Sequence, residues 1–581
     1  MDKKEVAEIL EEIGTLLELK GENPFKCRAY HNASRVIGAL TRDLSTLIES
    51  GELRDVKGIG EGLGEKITEL VQTGKLEYYE RLKKSLPQGL VEMLGIQGLG
   101  PKRIKILYEK LKIKTVDQLK ESAEKHRLEK LKGFGEKIEE NILRGIELLR
   151  RNVAKHLYNR ASEAADRVFQ AVRKHKAVMR AEVAGSLRRR KEIIGDIDIL
   201  VSAKKSDARE LMEVFTKHPD VEEIIAHGET KSSVVLKSNI NCDLRVVNDE
   251  EFPFALAYFT GSKEHNIEMR SLAKKFGWSL NEYGFSELGS EEKRGKAKRV
   301  VKCKDEADIF EALELAYTPP ELRENMGEFE AAKKRTLPQL LGEEEIRGTF
   351  HCHTTYSDGA NTLEEMAEAA QALGWEYLGI ADHSKIAAYA GGLSEEKVRH
   401  QHKEIDKLNA ALKNFRLFKG TEVDILPDGS LDWSDKVLAS FEYVVGSVHS
   451  KFKMTEEEMT RRIIKAVKNK YVTMLGHPTG RLLLEREPYP INMIDVINAA
   501  ADYGKVIEIN AHPLRLDLDW RLCKYAKDKG VKISINPDAH NADGLNDVRY
   551  GVGIARKGWL EKKDVVNAWG LKEVLKFLRI T

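Results

Sequence analysis

Asp196 and Asp198 stand one residue apart in the run Gly195-Asp196-Ile197-Asp198-Ile199-Leu200-Val201. In a strand, alternate side chains share a face, so Ile197 and Ile199 would enter a core while both carboxylates point outward together. Carboxylates held that close repel unless cations lie between them. Hard oxygen donors of this kind suit Mg²⁺ or Mn²⁺, whose shells are completed by water and phosphate oxygens. Just upstream, Gly185-Ser186-Leu187-Arg188-Arg189-Arg190 offers backbone N–H groups, a hydroxyl and guanidinium forks to phosphate oxygens. Asp-x-Asp alone is common on surface strands; the glycine-serine cradle at this distance before it is what makes the signal specific. The chemistry implied is phosphoryl or nucleotidyl transfer.

A second set of chemical residues lies in the last 240 or so positions, where short apolar runs alternate with helical patterns. Six runs end in histidine or carboxylate: Phe350-His351-Cys352-His353, Gly379-Ile380-Ala381-Asp382-His383, Gly420-Thr421-Glu422-Val423-Asp424, Val445-Gly446-Ser447-Val448-His449, Leu475-Gly476-His477-Pro478 and Ile535-Asn536-Pro537-Asp538-Ala539-His540. One buried histidine is usually a hydrogen-bonded core residue, but six such strand ends suggest a (β/α) barrel with its site at the C-terminal face. Imidazole with carboxylate favours Mn²⁺, Zn²⁺ or Fe²⁺ over Mg²⁺.

The elements that must position these groups follow from the chain as a whole. Its 581 residues, 41% hydrophobic and 33% charged, provide for about three to five globular domains. The formal net charge is only +2, so a nucleic-acid surface would require local segregation of charge. The five cysteines lie far apart with no C-x-x-C pair, which argues against a disulfide framework and fits a reducing cytoplasm. The N-terminus reads as an amphipathic helix without a signal peptide's apolar core, and no segment is apolar enough to span a bilayer.

Up to about Arg150 the pattern is helices joined by glycine turns. Three turns share the form apolar-x-Gly-apolar-Gly: around Gly58 and Gly60, around Gly98 and Gly100, and around Gly133 and Gly135. Each opens a helix with basic residues in its first turns (Lys66, Lys102 and Arg103, Lys137). Free N–H groups at such helix starts grip phosphates, and the repetition favours DNA binding without sequence readout over simple connectors.

Gly-Ser-x-Arg-Arg followed by Gly-Asp-Ile-Asp resembles the palm of the family X DNA polymerases, the group that includes DNA polymerase beta. The resemblance covers essentially residues 1 to 320. It implies that Asp196, Asp198 and Asp243, the last in Asn241-Cys242-Asp243-Leu244, ligate the catalytic Mg²⁺ or Mn²⁺. It implies that Ser186, Arg189 and Gly195 face the triphosphate, and that Tyr258, Phe259 and Gly261 of Tyr-Phe-Thr-Gly lie under the incoming sugar. Asn266 and Arg270 fall where the family contacts the nascent base pair from the minor groove. Lys26 and Tyr30 fall in a small 5′-phosphate-binding domain. Lys66 falls where lyase members carry a Schiff-base lysine, although another basic position of that pocket is Gly62; a phosphate-contacting or exposed helix lysine is the alternative reading.

The histidine-rich part resembles the PHP (polymerase and histidinol phosphatase) domain. That resemblance implies a cluster of Mn²⁺, or Zn²⁺ or Fe²⁺, held by His351, His353, Asp358, His383, Glu422, His449, His477, Asp538 and His540. Asp382, Asp424 and His512 read as supporting residues.

The expected architecture is multidomain. An α-helical helix-hairpin-helix DNA-binding domain (1–85) precedes a helical fingers-type domain (86–152). An α/β nucleotidyltransferase palm (153–247), a thumb-type nucleotide-selection domain (248–320) and a charged linker (321–345) follow, and a distorted (β/α)7-type PHP barrel (346–581) ends the chain. The expected function is a cytoplasmic, monomeric repair polymerase adding dNTPs to primer ends in gapped DNA. The barrel is expected to act as a 3′→5′ exonuclease, extending to abasic-site cleavage or 3′-phosphate removal. The alternatives are a barrel acting on small phosphomonoesters, or one serving only as a brace or DNA-binding module.

Overall fold

The computed structural model describes the chain except residues 2, 41–43, 97–98, 152–153, 289–300, 388–389 and 581. The N-terminal part is helical, as its glycine-punctuated periodicity requires. Gly60 caps the helix Glu61–Thr73 and Gly100 caps Pro101–Leu111, while Gly135 directly precedes Glu136–Arg151. Between each pair of glycines an apolar residue is buried: Ile59, Leu99 and Phe134. Gly58, Gly60, Gly100, Gly133 and Gly135 remain exposed beside them. Gly58 and Gly133 take φ of +99° and +93°, which a side chain would resist. Gly98 lies outside the described residues. The pinned apolar residue thus turns each glycine backbone outward at a helix start.

The next region is a five-stranded sheet in the order Arg180–Val183, Asp196–Ser202, Asn241–Val247, Lys231–Leu236, Val221–His227. Asp196–Ser202 and Asn241–Val247 run parallel, and the other neighbours are antiparallel. One face packs on the helices Tyr158–Arg173 and Ala208–Thr216 through Val168, Ile197, Ile199, Phe215 and Leu244. Helices Phe252–Thr260 and Lys263–Lys275, the hairpin Trp278–Asn281/Gly284–Glu287 and helix Glu306–Ala312 follow around Phe254, Met269, Phe285 and Phe310.

Residues 321–345, read from sequence as a linker, are folded. They carry the helix Glu328–Lys334, and Arg323 and Glu328 are buried. Their charges are paired inward: Arg323 Nη1 meets Glu306 Oε1 at 2.6 Å, and Glu328 Oε1 meets His265 Nδ1 at 2.9 Å. Charge content alone could not distinguish buried pairs from a solvated tether.

The C-terminal part is a seven-stranded all-parallel sheet whose spatial order is its chain order: Gly348–Cys352, Tyr377–Ile380, Arg416–Asp424, Tyr443–Ser447, Met474–Leu475, Val506–Asn510 and Ile533–Asn536. The first and last strands meet through side chains, Thr349 Oγ1 donating to Ile535 O (3.0 Å) and Phe350 N to Asn536 Oδ1 (3.2 Å). Curling of a parallel sheet until its edges touch gives a nearly closed barrel, which brings all seven strand C-termini around one mouth. No helix among the described residues is long and apolar enough to cross a membrane.

Candidate active sites

The first site forms where two parallel strands begin. Asp198 lies opposite Asp243 in the register, and Asp196 opposite Asn241. Ile197, Ile199, Cys242 and Leu244 are buried beneath them, so alternation alone turns the three carboxylates to one side. The Gly185-Ser186 turn follows strand Arg180–Val183 and is tied to the aspartate strand by Ala184 N donating to Asp198 O at 2.8 Å. Gly185 has φ +65°, and a Cβ there would lie 2.6 Å from Asp198 Oδ2. The glycine therefore lets the phosphate cradle press directly on the carboxylate group. Burial, then the charges of Asp196 and Asp243, push the Asp198 carboxyl up to about 6. Lys231 Nζ offsets part of that charge, at 2.7 Å from Asp243 Oδ2. Three neighbouring carboxylates on one side of paired strands, with this mutual repulsion, fit hard divalent cations.

Arg189 reaches Glu324 Oε1 through Nε (3.0 Å) and the carbonyl of Thr260 through Nη1. It thereby joins the cradle to the Tyr258-Phe259-Thr260-Gly261 turn. Gly261 has φ +69° and a Cβ there would meet Arg189 Nη1 at 3.1 Å. Asn266 Nδ2 donates to Tyr258 O (2.7 Å), Arg270 Nε donates to Asn266 O (3.2 Å), and the Phe259 ring lies 4.3 Å from the Arg245 guanidinium. Ser186 is half-buried and Gly195 exposed at the start of the aspartate strand. Hydrogen bonds thus link Arg189, the Tyr258–Gly261 turn, Asn266 and Arg270 into one wall.

The second site lies at the barrel mouth. Ligand-type atoms of His353, Asp358, His383 and His540 lie within 4.8 Å of one another. The same holds for His351, His353 and Asp538, and for His383, Glu422 and His449. His477 joins through Nε2, 3.0 Å from Glu422 Oε1. All nine sequence-derived candidates therefore meet in one cluster. Buried His351 Nε2, His353 Nδ1 and Nε2, and His477 Nδ1 have no hydrogen-bond partner. Orphaned imidazole nitrogens are costly unless a ligand takes them up, and a metal ion fits this donor set. Burial, with His540 and His383 close by, holds His353 down at about 3, so its imidazole is neutral at physiological pH, the form that ligates metals.

The supporting residues have definite partners. Asp382 accepts from Thr354 N, Thr354 Oγ1, Ser357 Oγ and Gln401 Nε2, fixing the loop that carries Asp358. Asp424 Oδ1 meets His449 Nδ1 at 3.0 Å. His512 Nδ1 accepts from Leu514 N, and its backbone N donates to Asn510 Oδ1 at 3.1 Å.

Over all 581 residues the chain is 38% identical to the DNA polymerase/3′-5′ exonuclease PolX of Bacillus subtilis (strain 168), spanning the whole of both chains. The chain belongs to the family X DNA polymerases. The domain matches of this family X chain are a helix-hairpin-helix domain (1–76), a SAM-like helix-hairpin-helix tandem (90–147), a DNA polymerase beta palm (159–241), a DNA polymerase beta thumb (255–324) and a PHP domain (349–512). The PHP part is also 29% identical over 242 residues to a probable phosphatase of Thermoanaerobacter sp. (strain X514), covering 39% of this chain and 93% of that protein. A probable phosphatase of Acetivibrio thermocellus is 30% identical over 199 residues, 33% of this chain and 78% of that protein. The palm match ends before Asp243 and the PHP match before Asp538 and His540. The strand geometry therefore carries those three residues.

Two residues of the family X chain's sites escaped the sequence reading. Glu508, fully buried on strand Val506–Asn510, accepts or shares the proton of His351 Nδ1 at 2.7 Å and accepts from His477 N at 2.9 Å. Its signal was a lone carboxylate in the apolar run Val506-Ile507-Glu508-Ile509. Tyr78 stacks on Tyr30 (6.2 Å), with Lys66 Nζ 5.4 Å and Lys26 Nζ 5.8 Å from its ring. It gathers the three predicted N-terminal residues into one basic, aromatic patch. Nothing in its local sequence marks it.

Proposed function

We propose that this family X chain adds deoxynucleotides to primer 3′ ends in short DNA gaps and removes 3′ nucleotides at its barrel mouth. The observation that carries the first activity is the pairing of Asp198 with Asp243 on parallel strands, with Gly185 pressed against Asp198. Asp196, Asp198 and Asp243 would hold Mg²⁺ or Mn²⁺. Bound there, such ions acidify the attacking hydroxyl and neutralise the developing phosphate charge. Ser186 and Arg189 orient the triphosphate, with Gly195 leaving room beside them. Tyr258, Phe259 and Gly261 pack the sugar, and Asn266 and Arg270 read the minor-groove edge common to correct pairs.

At the barrel, His351, His353, Asp358, His383, Glu422, His449, His477, Asp538 and His540 would hold Mn²⁺, Zn²⁺ or Fe²⁺, which supply an activated water for phosphoester hydrolysis. The orphaned nitrogens of His351 and His353 support this reading. Gapped or primer–template DNA would be gripped through Gly58, Gly60, Gly98, Gly100, Gly133 and Gly135 at the helix starts. Its 5′ phosphate would rest against Lys26, Tyr30 and Lys66. We read Lys66 as a phosphate contact; borohydride trapping of a 5′-deoxyribose phosphate on it would assign lyase chemistry instead. The working unit is a cytoplasmic monomer divided near residues 85, 152, 247, 320 and 345.

The test uses gapped DNA with dNTPs and Mg²⁺ or Mn²⁺. Asp243→Ala abolishes extension and spares degradation; Glu422→Ala does the reverse. Loss of both activities in either variant would sink the two-site reading. Likeness to probable phosphatases favours a second substrate class for the barrel. Faster hydrolysis of a small phosphomonoester than of a primer strand would select it.

A further inference from the structure

Between the phosphate cradle and the first carboxylate runs Arg188-Arg189-Arg190-Lys191-Glu192, and its fittings come from the far end of the chain. Trp520 Nε1 donates to Glu192 Oε2 at 3.1 Å. Arg190 lies against Gly553, whose added Cβ would meet Arg190 Cδ at 3.3 Å. The most telling contact is Lys557, in the last turn of helix Val548–Lys557 and fully buried. Its ammonium donates to Glu324 Oε1 (2.5 Å), Arg189 O (3.1 Å) and Glu321 O (3.3 Å), over the Trp520 ring at 4.5 Å.

Three donors are all that an ammonium has, and here all three point away from the barrel. A buried lysine is retained only where a counter-charge and acceptors meet it. Those acceptors belong to the palm and to the end of the thumb, so the barrel surface at Lys557 is complete only when docked. Glu324 Oε1 takes Lys557 and Arg189 Nε together. The trio of two cations and one carboxylate keeps a net positive charge at Arg189. Without Lys557, Glu324 would neutralise Arg189 alone and be free to draw it off the wall.

We propose that Lys557 of the PHP barrel is a positioning residue for nucleotide addition, holding Glu324 so that Arg189 presents a fixed, net-positive guanidinium to the incoming triphosphate. This rests on the reading of Arg189 as a triphosphate ligand. It makes the barrel a structural part of the polymerase site, separate from its own hydrolytic cluster.

The experiment measures dNTP KM and kcat for single-nucleotide insertion on gapped DNA, and primer degradation without dNTPs, in the full-length chain. Four variants are compared: Arg189→Ala, Lys557→Gln, Lys557→Met and Lys557→Gln with Glu324→Gln. Glutamine keeps an amide donor for the Arg189 and Glu321 carbonyls, whereas methionine removes every donor. Either variant that melts above the assay temperature is readable. Expected are a raised KM in Arg189→Ala and a rise on the order of tenfold in both Lys557 variants. Their kcat and degradation rate stay within about twofold, a KM-selective effect that damaged packing would not produce. In the double variant KM moves back toward wild type, because the uncompensated carboxylate is gone. A wild-type KM in both Lys557 variants, with Arg189→Ala impaired, overturns the inference and leaves the function standing. Parallel loss of kcat and degradation also overturns it. An unchanged KM in Arg189→Ala removes the reading on which it rests.

Discussion

Asp198 and Asp243, 45 positions apart in sequence, are direct neighbours in the parallel register of Asp196–Ser202 and Asn241–Val247. The pairing places two carboxylates side by side near the strand starts with Asp196 one step beyond. Only a ligand that profits from concentrated negative charge justifies that repulsion, which together with the larger effect of burial raises the Asp198 carboxyl to about 6. Removing Asp243 therefore disables cation binding instead of relieving strain. Asp243→Ala is expected to lower nucleotide insertion by at least about 10²-fold, the scale of losing one charge-stabilising group. Single-turnover extension of a gapped primer checks this, with primer degradation unchanged.

Gly185 gives a second route to the same site. A side chain there must adopt φ +65° and also enter the space of Asp198 Oδ2, 2.6 Å away. The backbone term alone costs about 1–2 kcal/mol, and the carboxylate must turn aside. Gly185→Ala should cut insertion by at least about tenfold while barrel hydrolysis is kept. Parallel assays of the two activities decide it.

Much of this was legible in the chain. Asp196-x-Asp198 in an apolar run, Asp243 in another, and histidines at strand ends mark elements and chemistry together, because strand periodicity and ligand identity use the same residues. What stayed hidden depends on distant packing. The register that pairs Asp198 with Asp243 has no local signature. Tyr78 looks like any helix aromatic, and Lys557 like any helix-terminal lysine. The charges of 321–345 suggested a solvated tether until Arg323 found Glu306 and Glu328 found His265.

That Arg323–Glu306 contact predicts an acid transition. Burial opposes ionisation of Glu306, but Arg323 and Arg188 outweigh it and hold the carboxyl at about 2, against an ordinary 4.5. A carboxyl depressed on folding stabilises the native state above its unfolded pKa, and the benefit fades as pH falls from about 4.5 toward 2. The contribution is on the order of 3 kcal/mol. Glu306→Gln should therefore lower the melting temperature at pH 7 and flatten its fall between pH 4.5 and 2. Thermal melts of both proteins across that range would show equal slopes if the pairing were irrelevant.

The exposed glycines at three helix starts predict phosphate contact without base readout. Lys102, exposed one residue into the helix that Gly100 caps, is placed to add a charge there. Each phosphate neutralised contributes about 0.9 to the slope of log K against log salt concentration. Lys102→Ala should reduce that slope by about one and weaken binding equally for gapped duplexes of unrelated sequence. A sequence-dependent loss in fluorescence anisotropy titrations would contradict this.

Glu508 supplies the remaining prediction, and its readout is the metal itself. It is wholly buried, with Oε2 on His351 Nδ1 at 2.7 Å and on Asn536 Nδ2 at 2.8 Å, while Oε1 takes His477 N at 2.9 Å and Asn510 Nδ2 at 2.9 Å. Every contact steers a neighbour: it turns His351 so that the orphaned Nε2 faces the cluster, and it fixes the backbone of His477. A carboxylate behind a ligating imidazole sets its tautomer and raises its basicity. Glu508→Gln keeps the shape but loses the charge, so the affinity for Mn²⁺ should fall by about 10–100-fold. Metal content after dialysis against graded chelator checks this without any turnover measurement. Insertion at the polymerase site should be unaffected, since Glu508 touches none of its residues. An unchanged Mn²⁺ content in the folded variant would mean that His351 is oriented by its strand alone.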